Sequence, residues 1–130
     1  MSQQDSSNFE YQIQRALIDV KQVAKDVLAV FCSTKQGLPI SSIGQSYSEL
    51  EEVLVSAMSS ALHGTAEQIG ILKGNFEIVI IRASQGWILI QGEEDILVTA
   101  LTKPKVNIGL VILAARNAIS QISKLLNEAY

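Results

Sequence analysis

Cysteine, histidine, proline and aromatic residues are all scarce in this chain, and each scarcity closes off a class of function. A single cysteine, Cys32, cannot form an internal disulfide, so the fold has to rest on a hydrophobic core. One cysteine and one histidine, His63, are too few for a zinc site. Three Phe, three Tyr and one Trp lie scattered along the chain. No basic stripe accompanies them, and the net charge is −3, which argues against nucleic acid as a ligand. No apolar run approaches the ~20 residues that span a bilayer. Lys73-Gly74-Asn75 lacks the Gly-rich approach and the Lys-Ser/Thr pair of a phosphate loop, so the chain is not expected to bind a nucleotide or any other cofactor. Met1 to Asn8 is polar throughout, unlike a secretory leader. The expectation is a cytoplasmic protein without membrane insertion.

The composition itself favours a packed core: 48% hydrophobic and 18% charged residues over 130 positions fit one folded domain. Ser7-Asn8-Phe9-Glu10 matches a capping box, and Phe9, Ile13, Ala16, Leu17, Val20 and Ala24 follow at helical spacing. These predict a first helix over about Asn8 to Val23, with residues 1–7 a flexible N-terminus and 8–130 the domain. Val27 to Cys32 is continuously apolar and reads as a strand covered on both faces. After the turn Lys35-Gln36-Gly37, Leu38 to Ile43 returns as a second strand, which Pro39 confines to a sheet edge.

Ser46-x-x-Glu49 and Ser48-x-x-Glu51 are overlapping capping boxes for a second helix that ends near Gly70. Phe76 to Arg82, Trp87 to Ile90 and Ile96 to Leu101 are three further strands, separated by Ala83–Gly86 and Gly92–Asp95. Asn107 caps a last helix whose buried stripe includes Val111, Ala114, Ala115, Ala118, Ile122 and Leu125 or Leu126. The order αββαβββα, with short links between strands, gives an α+β domain. Its five-stranded antiparallel sheet carries one helix on one face and two on the other.

Two segments have more apolar surface than a monomer needs. Along the second helix, Leu50, Val53, Leu54, Ala57 and Ala61 form a stripe expected to face the core. Val55, Met58, Leu62 and Ile69 add a shoulder that widens the arc to roughly 200°, where a surface helix needs only ~100°. Glu52, Ser56, Ser59, Ser60, His63 and Glu67 are then left to face water. The strand Phe76–Arg82 has no proline and no mid-strand lysine to stop another chain pairing with it. Burial by a second copy would satisfy both segments. The alternative is that the loop before this strand covers the shoulder within one chain.

Candidates for chemistry are few. His63, near the helix end, is expected to be solvated and favoured by the helix dipole. Cys32 reads as a small core residue and not as a nucleophile. Glu93-Glu94-Asp95 reads as a solvated turn and not as a cation site. Trp87 is either a half-buried packing residue or a partner hot spot. Arg15, Arg82 and Arg116 are the only arginines that could serve as a GTPase-activating finger, and each reads as an ordinary surface arginine. No catalytic, cofactor-binding or metal-binding residue is assigned, and the chain is not expected to be an enzyme.

The strand-turn-strand Val30-Phe31-Cys32-Ser33-Thr34-Lys35-Gln36-Gly37-Leu38-Pro39-Ile40 resembles the Roadblock family. So do the small-residue helix Ala57-Met58-Ser59-Ser60-Ala61, the Lys73-Gly74 turn and Asn107-Ile108-Gly109-Leu110-Val111. The resemblance implies a profilin-like sandwich, with helices 1 and 3 on one face of the sheet and helix 2 on the other. It also implies dimerisation, strand 3 to strand 3 and helix 2 to helix 2. One departure is Ile112-Leu113, where many bacterial members carry an arginine; here Arg116 comes later.

Combined with the residue pattern, the resemblance implies an interface of Val55, Met58, Ser59, Leu62, Phe76, Ile78, Ile80 and Arg82, and a partner surface of Glu52, Ser56, Ser60 and His63. The function it implies is a homodimeric scaffold that binds a Ras-like small GTPase and modulates its nucleotide cycle by reorganising the switch loops. A heterodimer with a related protein is the variant of that reading. The alternative function is a structural adaptor light chain of a motor or membrane-associated complex.

Overall fold

The computed structural model describes residues 3–44 and 49–129, with side chains over 8–44 and 50–128. The elements are α1 (Gln3–Val23), β1 (Val27–Thr34), β2 (Pro39–Gly44), α2 (Glu49–Gly70), β3 (Ile78–Ala83), β4 (Gly86–Glu93), β5 (Ile96–Thr102) and α3 (Ile108–Ala129). The five strands form one antiparallel sheet in the order β2-β1-β5-β4-β3. Both expected edges are therefore edges: β2, which begins at Pro39, and β3. The two capping boxes of α2 start at residues 46 and 48, which lie outside the described residues.

Sequence pattern accounts for the layers. Val30, Cys32, Leu89, Val98 and Ala100 share one sheet face, where Ile13, Leu17 and Val20 of α1 and Val111, Ala115 and Ile122 of α3 close over them. Fully burying each larger side chain stabilises by about 1.5–3 kcal/mol. The opposite face, with Phe31, Leu97, Thr99 and Ile90 buried, carries α2 alone. Asn107 caps α3 as expected: its Oδ1 accepts the Leu110 amide at 3.1 Å. At 21 residues, Ile108–Glu128 of α3 is long and apolar enough to cross a bilayer, but its apolar side packs into the core.

Two boundaries differ from expectation. Helix α1 begins at Gln3 and not at Asn8, so the Ser7–Glu10 box lies inside it. No glycine or proline interrupts Gln3 to Asn8, so nothing local ends the helix there. Strand β3 starts at Ile78 and not at Phe76. The Phe76 ring instead meets the His63 ring, with centroids 4.8 Å apart and planes tilted by 60°.

Candidate interaction surface

Helix α2 is mounted with its polar side inward. Ser56, Ser59 and His63 are only 1%, 3% and 6% exposed, and all three lie against the sheet. Three contacts fix this side of the helix, none of them through Ser56, whose buried Oγ has no hydrogen-bond partner among the described residues. The Thr99 hydroxyl, in mid β5, donates to Ser59 Oγ at 2.7 Å. The Ser60 hydroxyl donates to the Lys35 carbonyl in the β1–β2 hairpin. The His63 ring lies over Gly92, where an added Cβ would stand 2.8 Å from Nε2.

Small residues permit this close approach. At Gly37 (φ +95°) a Cβ would touch Ala57 Cα and Ser60 Cβ, each at 3.4 Å, so the hairpin backbone packs directly on the helix. Leucines in place of the serines would hold helix and sheet apart.

His63 is buried, contrary to the solvated position expected of it. Its Nδ1 lies 3.0 Å from the Glu67 carboxylate. Burial lowers its pKa below the ordinary histidine value, and the Lys35 charge acts in the same direction. Glu67 opposes both, through its charge and its hydrogen bond. The neutral ring is thereby favoured, with Nδ1–H donating to Glu67.

The apolar side faces outward. Leu50, Val53, Leu54, Met58, Leu62 and Ile69 are all exposed, Leu50 by 67% and Ile69 by 63%. Ile71 and Leu72 just beyond the helix are exposed by more than three quarters, so the loop before β3 adds apolar surface and leaves the shoulder uncovered. The stripe expected to face the core is thus an outer stripe.

The two flanks of α2 differ. Ala57 and Ser60 back onto Gly37. At ~100° per residue, Val55, Met58 and Leu62 lie on the other flank. Thr99 and Ser59 mark the sheet face beneath the helix, and the register places Val79, Ile81, Ile88 and Leu101 on that same face. All four are only half-buried, and β3 beside them is a free edge with Ile80 exposed.

The expected interface is therefore scattered in part. Met58, Leu62, Val55, Ile78 and Ile80 lie on the outward flank of α2 or on the β3 edge. Ser59 is buried under the helix. Phe76 is out of the strand and against His63. Arg82 stacks on Trp87, 5.4 Å from the ring centroid.

The expected partner surface is corrected. Ser56 and His63 are buried, Ser60 is bonded to the hairpin, and Glu52 is half-buried. The residues missed as surface are Leu50, Val53, Leu54, Ala57 and Ala61. One signal could have found them. An apolar arc of roughly 200° cannot all be buried, and serine and histidine at 56, 59, 60 and 63 repeat at the spacing of a helix face.

Elsewhere, Cys32 is in the core and burial pushes its thiol pKa up to about 12, which makes it a poor nucleophile. Glu93, Glu94 and Asp95 are exposed at the β4–β5 turn. Among the described residues no group of three or more metal-ligating side chains is found.

This combination, two helices on one face, one on the other and β2-β1-β5-β4-β3 between them, is the Roadblock/LC7 fold. No family model and no curated protein sequence matches the chain, but solved structures do. A Roadblock/LC7 domain from Streptomyces avermitilis superposes with TM-score 0.79 at 12% identity, covering 86% of this chain and 95% of its own. The gliding protein MglB from Thermus thermophilus gives 0.81 at 9% identity, covering 92% of each chain. MglB in a tetrameric arrangement gives 0.84 at 10% identity, covering 94% of this chain and 93% of its own. At these identities it is the layer arrangement that is shared.

Proposed function

We propose that this protein is a non-enzymatic homodimeric scaffold that binds a Ras-like small GTPase and modulates its nucleotide cycle. The observation that carries the reading is the inverted mounting of α2, serines to the sheet and leucines to water. A second copy pairing antiparallel along β3 would bring its α2 beside the first, over Val79, Ile81, Ile88 and Leu101. Val55, Met58, Leu62 and Ile80 would be covered in that arrangement. Leu50, Val53, Leu54, Ala57 and Ala61 would stay open on the outer side of the helix pair as an apolar platform for the GTPase. The tetrameric arrangement of the structurally similar MglB supports self-association of this fold.

The test has two stages. Light scattering on the purified wild type and Ile80→Lys should give a dimer and a monomer respectively; a wild-type monomer removes the proposal. The dimer is then added to small GTPases, and GTP turnover and nucleotide release are followed. Binding with altered turnover supports regulation, whereas binding that leaves both rates unchanged favours the adaptor function.

A further inference from the structure

The end of the sheet where β1 and β4 begin and β3 and β5 finish is basic in an otherwise acidic protein. The register brings these termini together: Val27 pairs with Thr102, Ile88 with Leu101 and Ala83 with Gly86. Three turns meet there: Lys25-Asp26 between α1 and β1, Ala83–Gly86 between β3 and β4, and Lys103-Pro104-Lys105 between β5 and α3.

They are tied to one another. The Lys103 amide donates to the Asp26 carbonyl at 2.9 Å, and Trp87 Nε1 donates to the Pro104 carbonyl at 3.0 Å. The Trp87 amide donates to Thr102 Oγ1 at 3.3 Å, and Arg82 lies over the indole. Lys25, Arg82, Lys103 and Lys105 are all exposed. None of them takes part in the ion pairs Arg15–Asp19, His63–Glu67 and Arg116–Glu77. Asp26 is the one acid in the three turns. At the other end of the strands stand Glu93, Glu94 and Asp95, with Lys35 beside them, its amide bonded to the Asp95 carbonyl.

We propose that this end is a docking surface for an acidic segment of a partner protein, with Lys25, Lys103 and Lys105 pairing its carboxylates and Arg82, held on Trp87, adding a fixed guanidinium. A cation cluster with no ion pair among the described residues, on an anionic molecule, is the complement of such a segment and would steer it in. Bonding between the turns holds the cations on a common frame, which reduces the ordering cost of binding. A bilayer fits less well. None of the three turns carries an exposed large hydrophobic residue, and Trp87 is fastened to Pro104 where an interfacial anchor would be free. The proposal rests on the fold alone and needs neither the dimer nor the GTPase.

Trp87 is the sole tryptophan and serves as a built-in reporter. The full-length protein is titrated with a deca-glutamate peptide, reading Trp87 emission and the anisotropy of a fluorescein on the peptide. Saturable binding with a change in Trp87 emission is expected, weakened about tenfold or more in K103E/K105E. It should fade as salt rises from about 20 to 300 mM.

The variant K73E/K124E makes the same charge change at sites away from this end and should shift affinity by less than about twofold. Absence of binding, equal loss in both double variants, or preference for phosphatidylserine vesicles over the peptide would overturn the proposal. Light scattering on K103E/K105E, expected at wild-type mass, keeps this outcome separate from that of the dimer.

Discussion

Thr99 and Ser59 share a hydrogen bond of 2.7 Å between hydroxyls buried at the junction of sheet and helix. A threonine in the middle of a central strand offers no partner to an aliphatic stripe, but it does offer one to a serine. This pairing helps to select which side of α2 goes down. Ser59→Leu should therefore destabilise the fold by about 1–3 kcal/mol through overpacking and the stranded Thr99 hydroxyl. Leu54→Ser, on the outer side, should change stability by no more than about 0.5 kcal/mol. Urea unfolding of the two variants checks the contrast; equal losses would contradict the inverted mounting.

Placing a charge on the outer flank should separate copies without unfolding them. Met58→Asp is expected to run as a monomer in light scattering, with wild-type helical content by circular dichroism. Leu54→Ser should keep the wild-type mass and weaken GTPase binding alone, because it lies on the proposed platform and outside the proposed dimer contact.

His63 predicts how stability varies with pH. Its folded pKa lies below the ordinary value of 6.5, so the unfolded chain takes up the proton first as pH falls. The stabilisation from the neutral ring is complete above about pH 6.5 and is lost as pH drops through the folded value. Urea midpoints for the wild type and His63→Gln at pH 7.5 and 5.5 should show a smaller pH-dependent drop in the variant. Glu67 and Lys35 remain in both proteins, so the difference isolates the imidazole.

Cys32 should be silent in the native protein. The residue is 1% exposed and its thiol pKa is raised to about 12 by burial. A thiol reagent at pH 8 should label it only as fast as the protein opens, and rapidly in denaturing urea. Fast labelling under native conditions would contradict a core position in β1.

The order of elements along the chain and both sheet edges were legible because turns, proline and apolar runs are local signals that tertiary context seldom reverses. Which helices share a face came only from the family resemblance, and the pairing of β1 with β5, 62 or more residues apart in sequence, has no local signal. Pro39 marks the β2 edge, Asn107 marks the start of α3, and Val27 to Cys32 marks a strand covered on both faces. The orientation of α2 was not legible in the same way. Its apolar arc is so wide that either side satisfies a periodicity argument. The choice depends on what the sheet presents beneath, namely Thr99, Gly92 and the hairpin at Gly37, none of which is near α2 in sequence. His63 was misplaced for the same reason. Histidine near a helix end is usually solvated, yet here Gly92 leaves room for the ring and Phe76 covers it.

The two rims of the sheet are not equivalent. Along β2, Pro39 withholds an amide, and the pairing shifts register between Cys32 and Ser33. Along β3 the ladder is regular from Ile78 to Ala83 and carries neither obstacle. A sheet with one receptive rim has a valence of one. If a second copy adds there, each chain has used its single open rim, and growth terminates at ten strands where two receptive rims would allow a fibril.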